Sequence, residues 1–228
     1  SDVEDLIMMK LDVLIVMGYQ RLVPKRIIDS VKIASFGFHG SSEFLPKGRG
    51  GSPINWELIK GKKKFILHLF SLEPGPDSGN VIDFFQFDIN LFDNCRTVYY
   101  KVSLAMRKML EKNIPLLLKN KVLKGVSQKG EPTFFPKRTP KDGEINWCSS
   151  SEDLYNFVRA LTKPYPGAFT KEIIVWGGHP FSKNSNGKPG QVLEVFCYGE
   201  ILVKTLDGSF LITDYEGTKP RVGFSFLK

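Results

Sequence analysis

The first forty residues show the hydrophobic pattern of a strand, a helix and a second strand. LDVLIVMGY (11–19) is a nearly all-apolar run that ends in a turn glycine, a pattern typical of strands buried on both faces of a parallel sheet. VPKRIIDSV is predicted to form a brief helix with Pro24 near its first turn, and VKIASFGF is predicted to form a second strand. This order predicts a parallel β–α–β unit. Its second strand delivers His39 at the carboxyl end, where ligands bind in open α/β sheets.

The alternation of strand and helix patterns continues to about residue 113. PINWELIKG indicates a helix that starts at Pro53, and KKKFILHLFSLE indicates a strand that leads into the turn PGPDSGN, which carries Asp77. VIDFFQFDIN alternates as an edge strand does. The next segment is predicted to be a helix capped by Asp93. Its apolar stripe has helical spacing and consists of Val98, Val102, Ala105 and Met109.

The C-terminal part changes character after one more helix. SSSEDLYNFVRALT predicts a helix with a capping box from Ser149 to Glu152. Beyond PYPGAF, four strand-like segments of similar length are separated by glycine turns, which is the pattern of a small antiparallel β-barrel. The predicted division is an α/β core over residues 1–130, a connector and helix over 131–170, and the barrel over 171–228.

Composition adds limits on partner and compartment. The chain has 228 residues, 42% of them hydrophobic, which suffices for one large domain or one domain with a small appendage. Its net charge of +8 favours an anionic partner, or else a solvated coat of lysines. Three cysteines lie far apart without a Cys-x-x-Cys pair, so neither a disulfide framework nor a metal site is predicted. No apolar run approaches the roughly 18 residues of a membrane span, and the acidic start lacks a signal-peptide pattern. A cytoplasmic protein without membrane contact is expected.

His39 and Asp77 are the residues best placed for catalysis in this pattern. Both follow predicted strands of one sheet, so both could reach a single cleft. The pattern alone leaves other interpretations open. His39 could be a buried histidine satisfied by the backbone, and Asp77 could be an ordinary turn residue.

Two longer motifs resemble a known family. HGSSEFLPKGRGGSPINW, followed after one strand by EPGPDSGNVI, resembles the formyltransferases that use 10-formyltetrahydrofolate. RTPKDGEINW and VRALTKPYPGAF are similar to the branch that acts on nucleotide-linked amino sugars. The C-terminal barrel resembles the oligonucleotide-binding-like barrel of many members. The resemblance implies an α/β formyltransferase fold with a Rossmann-like parallel sheet, followed by a small antiparallel β-barrel that can serve homodimer formation.

The resemblance also implies a reaction and a set of roles. A formyl group would pass from N10-formyltetrahydrofolate to the amine of a nucleotide-linked amino-deoxy sugar, such as a dTDP-4-amino-4,6-dideoxyhexose, for O-antigen or other surface lipopolysaccharide synthesis. His39 would take the amine proton and Asp77 would hold His39. The residues expected at the folate are Met17, Gly18, Tyr19, Leu22, Pro74, Asp77 and Gly79. The residues expected at the sugar nucleotide are Tyr19, Lys47, Arg49 and Asn55.

The chain departs from the family pattern in two respects. Members have Asn-x-His, with the asparagine amide stabilising the oxyanion, whereas this chain has Gly37-Phe38-His39. Loss of one oxyanion donor costs about 100 to 1000-fold in rate, and the possible substitutes are His39 itself, Asn55 and backbone amides near Gly40. Members also carry more residues before the strand that matches LDVLIVMGY, so an N-terminally short sheet is expected.

Two other functions stay open at this stage. The basic charge and the terminal barrel would suit methionyl-tRNA formyltransferase, although the RTPKDGEINW and PYPGAF blocks favour the sugar branch. A relative that has lost catalysis with the asparagine could instead bind RNA or nucleotides. Nucleic acid is the less favoured partner, because the barrel strands carry few cations.

Overall fold

The computed structural model describes residues 2–19, 21–119 and 122–227. The strands in this part of the chain are β1 (Val13–Val16), β2 (Ala34–Ser41), β3 (Arg49–Gly50), β4 (Lys64–Ser71), β5 (Val81–Asp88), β6 (Phe134–Phe135), β7 (Ala168–Phe169), β8 (Ile173–Ser182), β9 (Val192–Val195), β10 (Ile201–Lys204) and β11 (Ser209–Gly217). The helices are α1 (Asp2–Met8), α2 (Lys25–Ser30), α3 (Pro53–Ile59), α4 (Cys95–Leu118) and α5 (Ser151–Leu161), with a 3₁₀ turn at Pro140–Gly143. None of the helices in the described ranges combines the length and apolarity that a bilayer span requires.

The chain forms two compact units. The N-terminal unit comprises the described residues of 1–53, 63–90 and 99–137. The C-terminal unit comprises 54–62, 91–98 and the described residues of 138–228, so the division falls within α4. The three-part division predicted from sequence stays a prediction.

A mixed four-stranded sheet forms the N-terminal unit, in the order β1-β2-β4-β5. β1 pairs with β2 in parallel, and α2 connects them, as the sequence predicts. The sheet is mixed rather than parallel throughout, because β4 is antiparallel to both β2 and β5. β2 also continues through Ser41, so His39 lies inside this strand rather than beyond its end.

Helix α4 lies along the edge strand β5. Lys101 donates to the Asp88 carbonyl at 2.9 Å, the Lys108 ammonium lies 5.2 Å from the centre of the Phe85 ring, and Lys112 pairs with Asp83 at 2.9 Å. Burial opposes ionisation of Asp83, but hydrogen bonds from Lys112 and Asn113 hold its pKa below the usual value. The predicted apolar stripe of α4 is confirmed, since its four residues are at most 7% exposed.

Two helix caps differ from the sequence prediction by one residue. Asn94, rather than Asp93, caps α4, because its Oδ1 accepts from the Thr97 amide at 3.1 Å. Ser150, rather than Ser149, caps α5, and its hydroxyl accepts from the Asp153 amide at 3.0 Å. Both errors have the same cause: runs of adjacent capping residues fit the pattern at more than one position.

The C-terminal unit contains a five-stranded antiparallel sheet in the order β7-β8-β11-β10-β9. Helix α5 packs on β8 and β11 with its apolar face, which includes the buried Leu154 and Val158. The antiparallel β character predicted for this region is confirmed. The predicted closure into a barrel is not found among the described residues, where β7 and β9 are the two edges.

A two-stranded parallel pairing brings residues 49–50 beside 134–135. Gly50 has a φ of +100°, and a Cβ at this position would lie 2.5 Å from the Phe135 carbonyl oxygen. Only glycine can satisfy both the backbone conformation and this close approach.

Gly50→Ala should therefore destabilise the protein more than Gly130→Ala. Gly130 has nearly the same φ, +97°, but a Cβ added there would meet no described atom within 4 Å, so its replacement should cost only the positive-φ strain of about 1–2 kcal/mol. The steric overlap at Gly50 should add roughly 1–3 kcal/mol. Urea unfolding of the two variants measures the difference, and equal losses would contradict the overlap.

His68 lies in the centre of β4, directly opposite His39 of β2. It is fully buried, and the Phe44 ring meets it edge-on at 5.4 Å between centroids. Its Nδ1 lies 3.3 Å from the His39 carbonyl oxygen, while its Nε2 has no hydrogen-bond partner among the described residues. Burial lowers the pKa of His68 from 6.5 to about 4, with the hydrogen bond to His39 opposing and the nearby imidazole of His39 reinforcing the shift.

We predict that His68 makes the fold sensitive to mild acid. Its pKa is lower in the folded state, so the unfolded chain binds the extra proton between pH 6.5 and pH 4 and stability falls as the pH falls through this range. The loss from this one residue should be roughly 3 kcal/mol. In urea unfolding at pH 7 and pH 4, His68→Asn should lose correspondingly less free energy than the wild type. Parallel pH profiles of the two proteins would contradict the assignment.

Candidate active site

His39 and Asp77 come together in the N-terminal unit. Nδ1 of His39 lies 3.3 Å from Oδ2 of Asp77, and the two side chains are 7% and 22% exposed. His39 and Asp77 therefore lie close together as predicted, but the strand arrangement that brings them together is not the predicted one. β4 and β5 form a hairpin whose connection leaves at Ser71 and returns at Asn80, where the Ser71 amide donates to the Asn80 carbonyl at 2.9 Å. Asp77 lies in this hairpin connection and not at the carboxyl end of a parallel strand.

The His39 ring lies between two oxygen acceptors. Opposite Asp77, its Nε2 is 2.7 Å from the Gly48 carbonyl oxygen. A neutral imidazole has a single N–H and can donate to only one of these acceptors, whereas the protonated ring can donate to both. The pair is therefore arranged to receive a proton at His39 and to hold the resulting ring in place.

The segment 46–51 is fixed by residues of the connector. The Gly48 amide donates to the Thr133 hydroxyl at 2.9 Å, and the Arg49 amide donates to the Thr133 carbonyl at 2.9 Å. Because Gly48 is also the acceptor for His39, the connector helps to set the position of the imidazole. Sequence reasoning missed this role, since the polar, proline-rich connector has no periodic pattern.

A pocket opens beside this pair within the N-terminal unit. It is a small pocket with a cavity volume of about 70 Å³, and it is partly open to solvent. The residues that line it are Val16, Gly18, Tyr19, Arg21, Leu22, Val23, Gly37, Phe38, Phe70, Leu72, Glu73, Gly75 and Asp77. Its wall combines apolar side chains with the polar side chains of Tyr19, Arg21, Glu73 and Asp77.

Four of the residues predicted for the folate line this pocket, namely Gly18, Tyr19, Leu22 and Asp77. Met17 and Pro74 are exposed and adjoin lining residues along the chain. Gly79 is buried in the hairpin connection, where a Cβ would lie 1.7 Å from the Ser71 carbonyl oxygen. Its role is therefore to allow the tight connection, and the ligand roles of the others stay predictions.

The residues predicted for the sugar nucleotide differ in their exposure and in their hydrogen bonds. Tyr19 is 57% exposed at the pocket, and Lys47 is half-buried in the segment next to Gly48. Arg49 donates from Nη2 to Oε1 of Gln128 at 2.6 Å. Asn55 is 1% exposed in α3, and its Nδ2 donates to the Ala160 carbonyl at 2.7 Å. These observations do not support a role for Asn55 at the substrate or the oxyanion, which stays a prediction.

The space beside Gly37 is occupied by other side chains. A Cβ at this position would lie 2.8 Å from Cζ of Phe70 and 2.9 Å from Cδ2 of Leu72. The aromatic ring of Phe70 thus fills the place next to the backbone where a larger side chain would begin. Gly40, whose neighbouring backbone amides were another predicted substitute, lies inside β2, and a Cβ added there would meet the Phe65 ring at 2.2 Å.

Comparison with known proteins gives the family. The family model described as Formyl transferase matches residues 2–114, and the model described as Formyl transferase, C-terminal domain, matches residues 137–227. The bifunctional polymyxin resistance protein ArnA of Wigglesworthia glossinidia brevipalpis is 36% identical over 189 residues, which cover 81% of this chain and 28% of ArnA. Methionyl-tRNA formyltransferase of Bacillus subtilis is 26% identical over 234 residues, which cover all of this chain and 73% of that enzyme.

A solved structure shares the fold. It is the N-formyltransferase of Helicobacter canadensis in complex with folinic acid and dTDP-3-aminofucose, with a TM-score of 0.69, 20% identity and coverage of 89% of this chain and 73% of that one. Because the two domain models match in succession and leave few residues between them, the chain belongs to the formyl transferase family and carries its N-terminal and C-terminal domains in that order.

Proposed function

We propose that this protein transfers a formyl group from N10-formyltetrahydrofolate to the amine of a nucleotide-linked amino-deoxy sugar. The observation that carries the proposal is the contact of His39 with Asp77 beside a pocket that Asp77 also lines. Within a family of formyl transferases, this pair supplies the proton transfer that amide formation requires.

The pocket suits the formyl donor. The pterin of a folate is a flat heteroaromatic ring with hydrogen-bonding edges, and the pocket offers aromatic and aliphatic side chains together with polar groups. The Helicobacter canadensis enzyme of the same fold was solved with folinic acid. Asp77 lines the pocket and contacts His39, so a donor bound there would present its reacting end to the catalytic pair.

Proton movement through His39 and Asp77 accounts for the chemistry. The neutral amine attacks the formyl carbon, the C–N bond to the folate nitrogen breaks, and one proton passes from the amine to the leaving nitrogen. His39 receives the amine proton, and the Asp77 carboxylate holds the charged ring through Nδ1. The same proton then returns to the leaving nitrogen, so both residues end in their starting states.

The sugar nucleotide is the proposed acceptor class. The Helicobacter canadensis structure holds dTDP-3-aminofucose, and the RTPKDGEINW and PYPGAF blocks resemble the nucleotide-sugar branch. The Arg49 guanidinium and Lys47 are suited to the diphosphate. A dTDP-4-amino-4,6-dideoxyhexose used in surface polysaccharide synthesis is the acceptor that the sequence blocks favour. A cytoplasmic homodimer is the expected form of the enzyme.

Methionyl-tRNA is the second candidate acceptor. It is favoured by the Bacillus subtilis relative, whose match spans the whole of this chain, and by the net charge of +8. The two acceptors differ in the number of phosphates they present. Binding of a tRNA should weaken steeply with salt, whereas binding of a sugar diphosphate should change little.

We predict that formyl transfer depends on both residues of the pair. Purified protein is assayed with N10-formyltetrahydrofolate and a panel of dTDP-, UDP- and GDP-linked amino sugars, with charged initiator tRNA in parallel. His39→Ala and Asp77→Asn should lower kcat about 10² to 10⁴-fold, while His179→Ala, an exposed histidine in the C-terminal unit, should leave it unchanged. If only the charged tRNA is formylated, methionyl-tRNA and not the amino sugar is the acceptor. No turnover with any acceptor, in a folded protein, would contradict formyl transfer and favour a binding role.

We further predict that Phe70 prevents a simple return of the family asparagine at position 37. Gly37→Asn alone should destabilise the protein, because its Cβ would overlap Phe70 and Leu72. Phe70→Leu in the same chain should relieve this overlap. The double variant should then exceed the Phe70→Leu single variant in kcat, by up to about 100-fold. Equal rates in two folded proteins would mean that another donor already stabilises the oxyanion.

A further inference from the structure

Gln128 uses its whole side-chain amide to connect the two loops of the candidate site. Its Nε2 donates to the Asp77 carbonyl at 2.7 Å and to the Gly79 carbonyl at 2.7 Å. Its Oε1 accepts from Nη2 of Arg49 at 2.6 Å. Both N–H groups and the carbonyl oxygen of one side chain are thus bound within the site.

The loop that receives these bonds has a conformation that needs support. Asp77 has a φ of +49°, in the left-handed region, which is unfavourable for a residue other than glycine. A residue keeps this backbone conformation only where contacts with neighbouring residues hold it in place. The carboxylate of this residue must nevertheless stay 3.3 Å from His39. The two bonds from Gln128 lie at Asp77 itself and two residues further on, so they hold the loop at the bend and just beyond it.

The chain on each side of Gln128 is itself anchored. Val126 and Val81 exchange two backbone hydrogen bonds of 2.8 and 2.9 Å, which attach the segment before Gln128 to the start of β5. Beyond Gln128, Thr133 binds the backbone of Gly48 and Arg49. The side chain therefore lies on a segment held at both ends, between the loop that carries Asp77 and the loop that faces His39.

We infer that Gln128 is a positioning residue for the catalytic pair, an inference that rests on the proposed formyl transfer for its kinetic consequence. The three hydrogen bonds of its amide go to two backbone carbonyls and to Arg49, and not to the His39 ring or the Asp77 carboxylate. Gln128 acts on the Asp77 backbone, so that the carboxylate remains within reach of Nδ1 of His39. Through Oε1 it also connects the Arg49 guanidinium, the proposed phosphate ligand, to the same loop.

Two variants separate the donor and acceptor functions of the amide. Gln128→Met has nearly the same length but makes none of the three hydrogen bonds. Gln128→Glu keeps an oxygen acceptor for Arg49 but loses both donors to the Asp77 and Gly79 carbonyls. Gln86→Met, at a glutamine exposed on β5 of the same unit, is the matched control.

The kinetic test compares kcat with the KM for the formyl donor. A displacement of about 1 Å at a reacting group costs on the order of 100-fold, so both Gln128 variants should lose about 10 to 100-fold in kcat, with KM changing less than kcat. Gln86→Met should match the wild type. If Gln128→Glu retains the wild-type kcat, the support of the Asp77 loop is overturned as the function of this residue.

Hydrogen exchange provides a readout that needs no substrate. Peptides over 72–80 should exchange faster in Gln128→Met and Gln128→Glu than in the wild type, while peptides over the middle of α4 should be unchanged. If the wild-type protein shows no formyl transfer, the proposed function is contradicted, but hydrogen exchange over 72–80 still tests the positioning role of Gln128. Unchanged exchange over 72–80 in both folded variants would overturn the positioning role, whatever the activity of the wild type.

Discussion

The position of one imidazole between two oxygen acceptors is the constraint on which the site depends. The ring of His39 faces the Asp77 carboxylate on one side and the Gly48 carbonyl on the other. These oxygens belong to two loops that the mixed sheet alone does not hold in place. The segment from Gln128 to Thr133 contacts both loops, through Thr133 at Gly48 and through Gln128 at Asp77. The chemistry of the pair therefore depends on backbone geometry that is set largely outside the sheet.

The sequence predicted the parts of this arrangement that leave a periodic or compositional trace. β1, α2 and β2 were predictable because an apolar run, a short amphipathic segment and a second run follow one another with turn residues between. The buried stripe of α4 was predictable from its helical spacing. The direction of β4 was not, because a central strand has the same apolar composition whether it runs parallel or antiparallel to its neighbour. Asp77 does lie near His39, as predicted, but the parallel direction of β4 on which that prediction depended is not present.

Single polar residues were the least predictable part of the site. Asn55 and Gln128 have similar side chains, and nothing in the flanking pattern distinguishes them. The fold places Asn55 in the interior, where it binds the Ala160 carbonyl, and places Gln128 at the site. The family pattern drew attention to the missing asparagine at Gly37, but only the folded chain reveals that Phe70 and Leu72 fill the space beside it. Such outcomes depend on contacts between residues distant in sequence, which local periodicity does not encode.

The wide sequence separation of these contacts has a consequence for how the protein becomes active during synthesis. Gly48 and Thr133 are 85 residues apart, and Arg49 and Gln128 are 79 apart. Contacts of this range form slowly, because a long loop must close before they contribute. The pairing of β1 with β2 joins residues close in sequence, but the contacts that support the loops around His39 cannot form until residues 128–133 have emerged as well. A nascent chain that stops before residue 128 would contain His39 and Asp77 but would lack the side chain that holds the Asp77 loop beside His39.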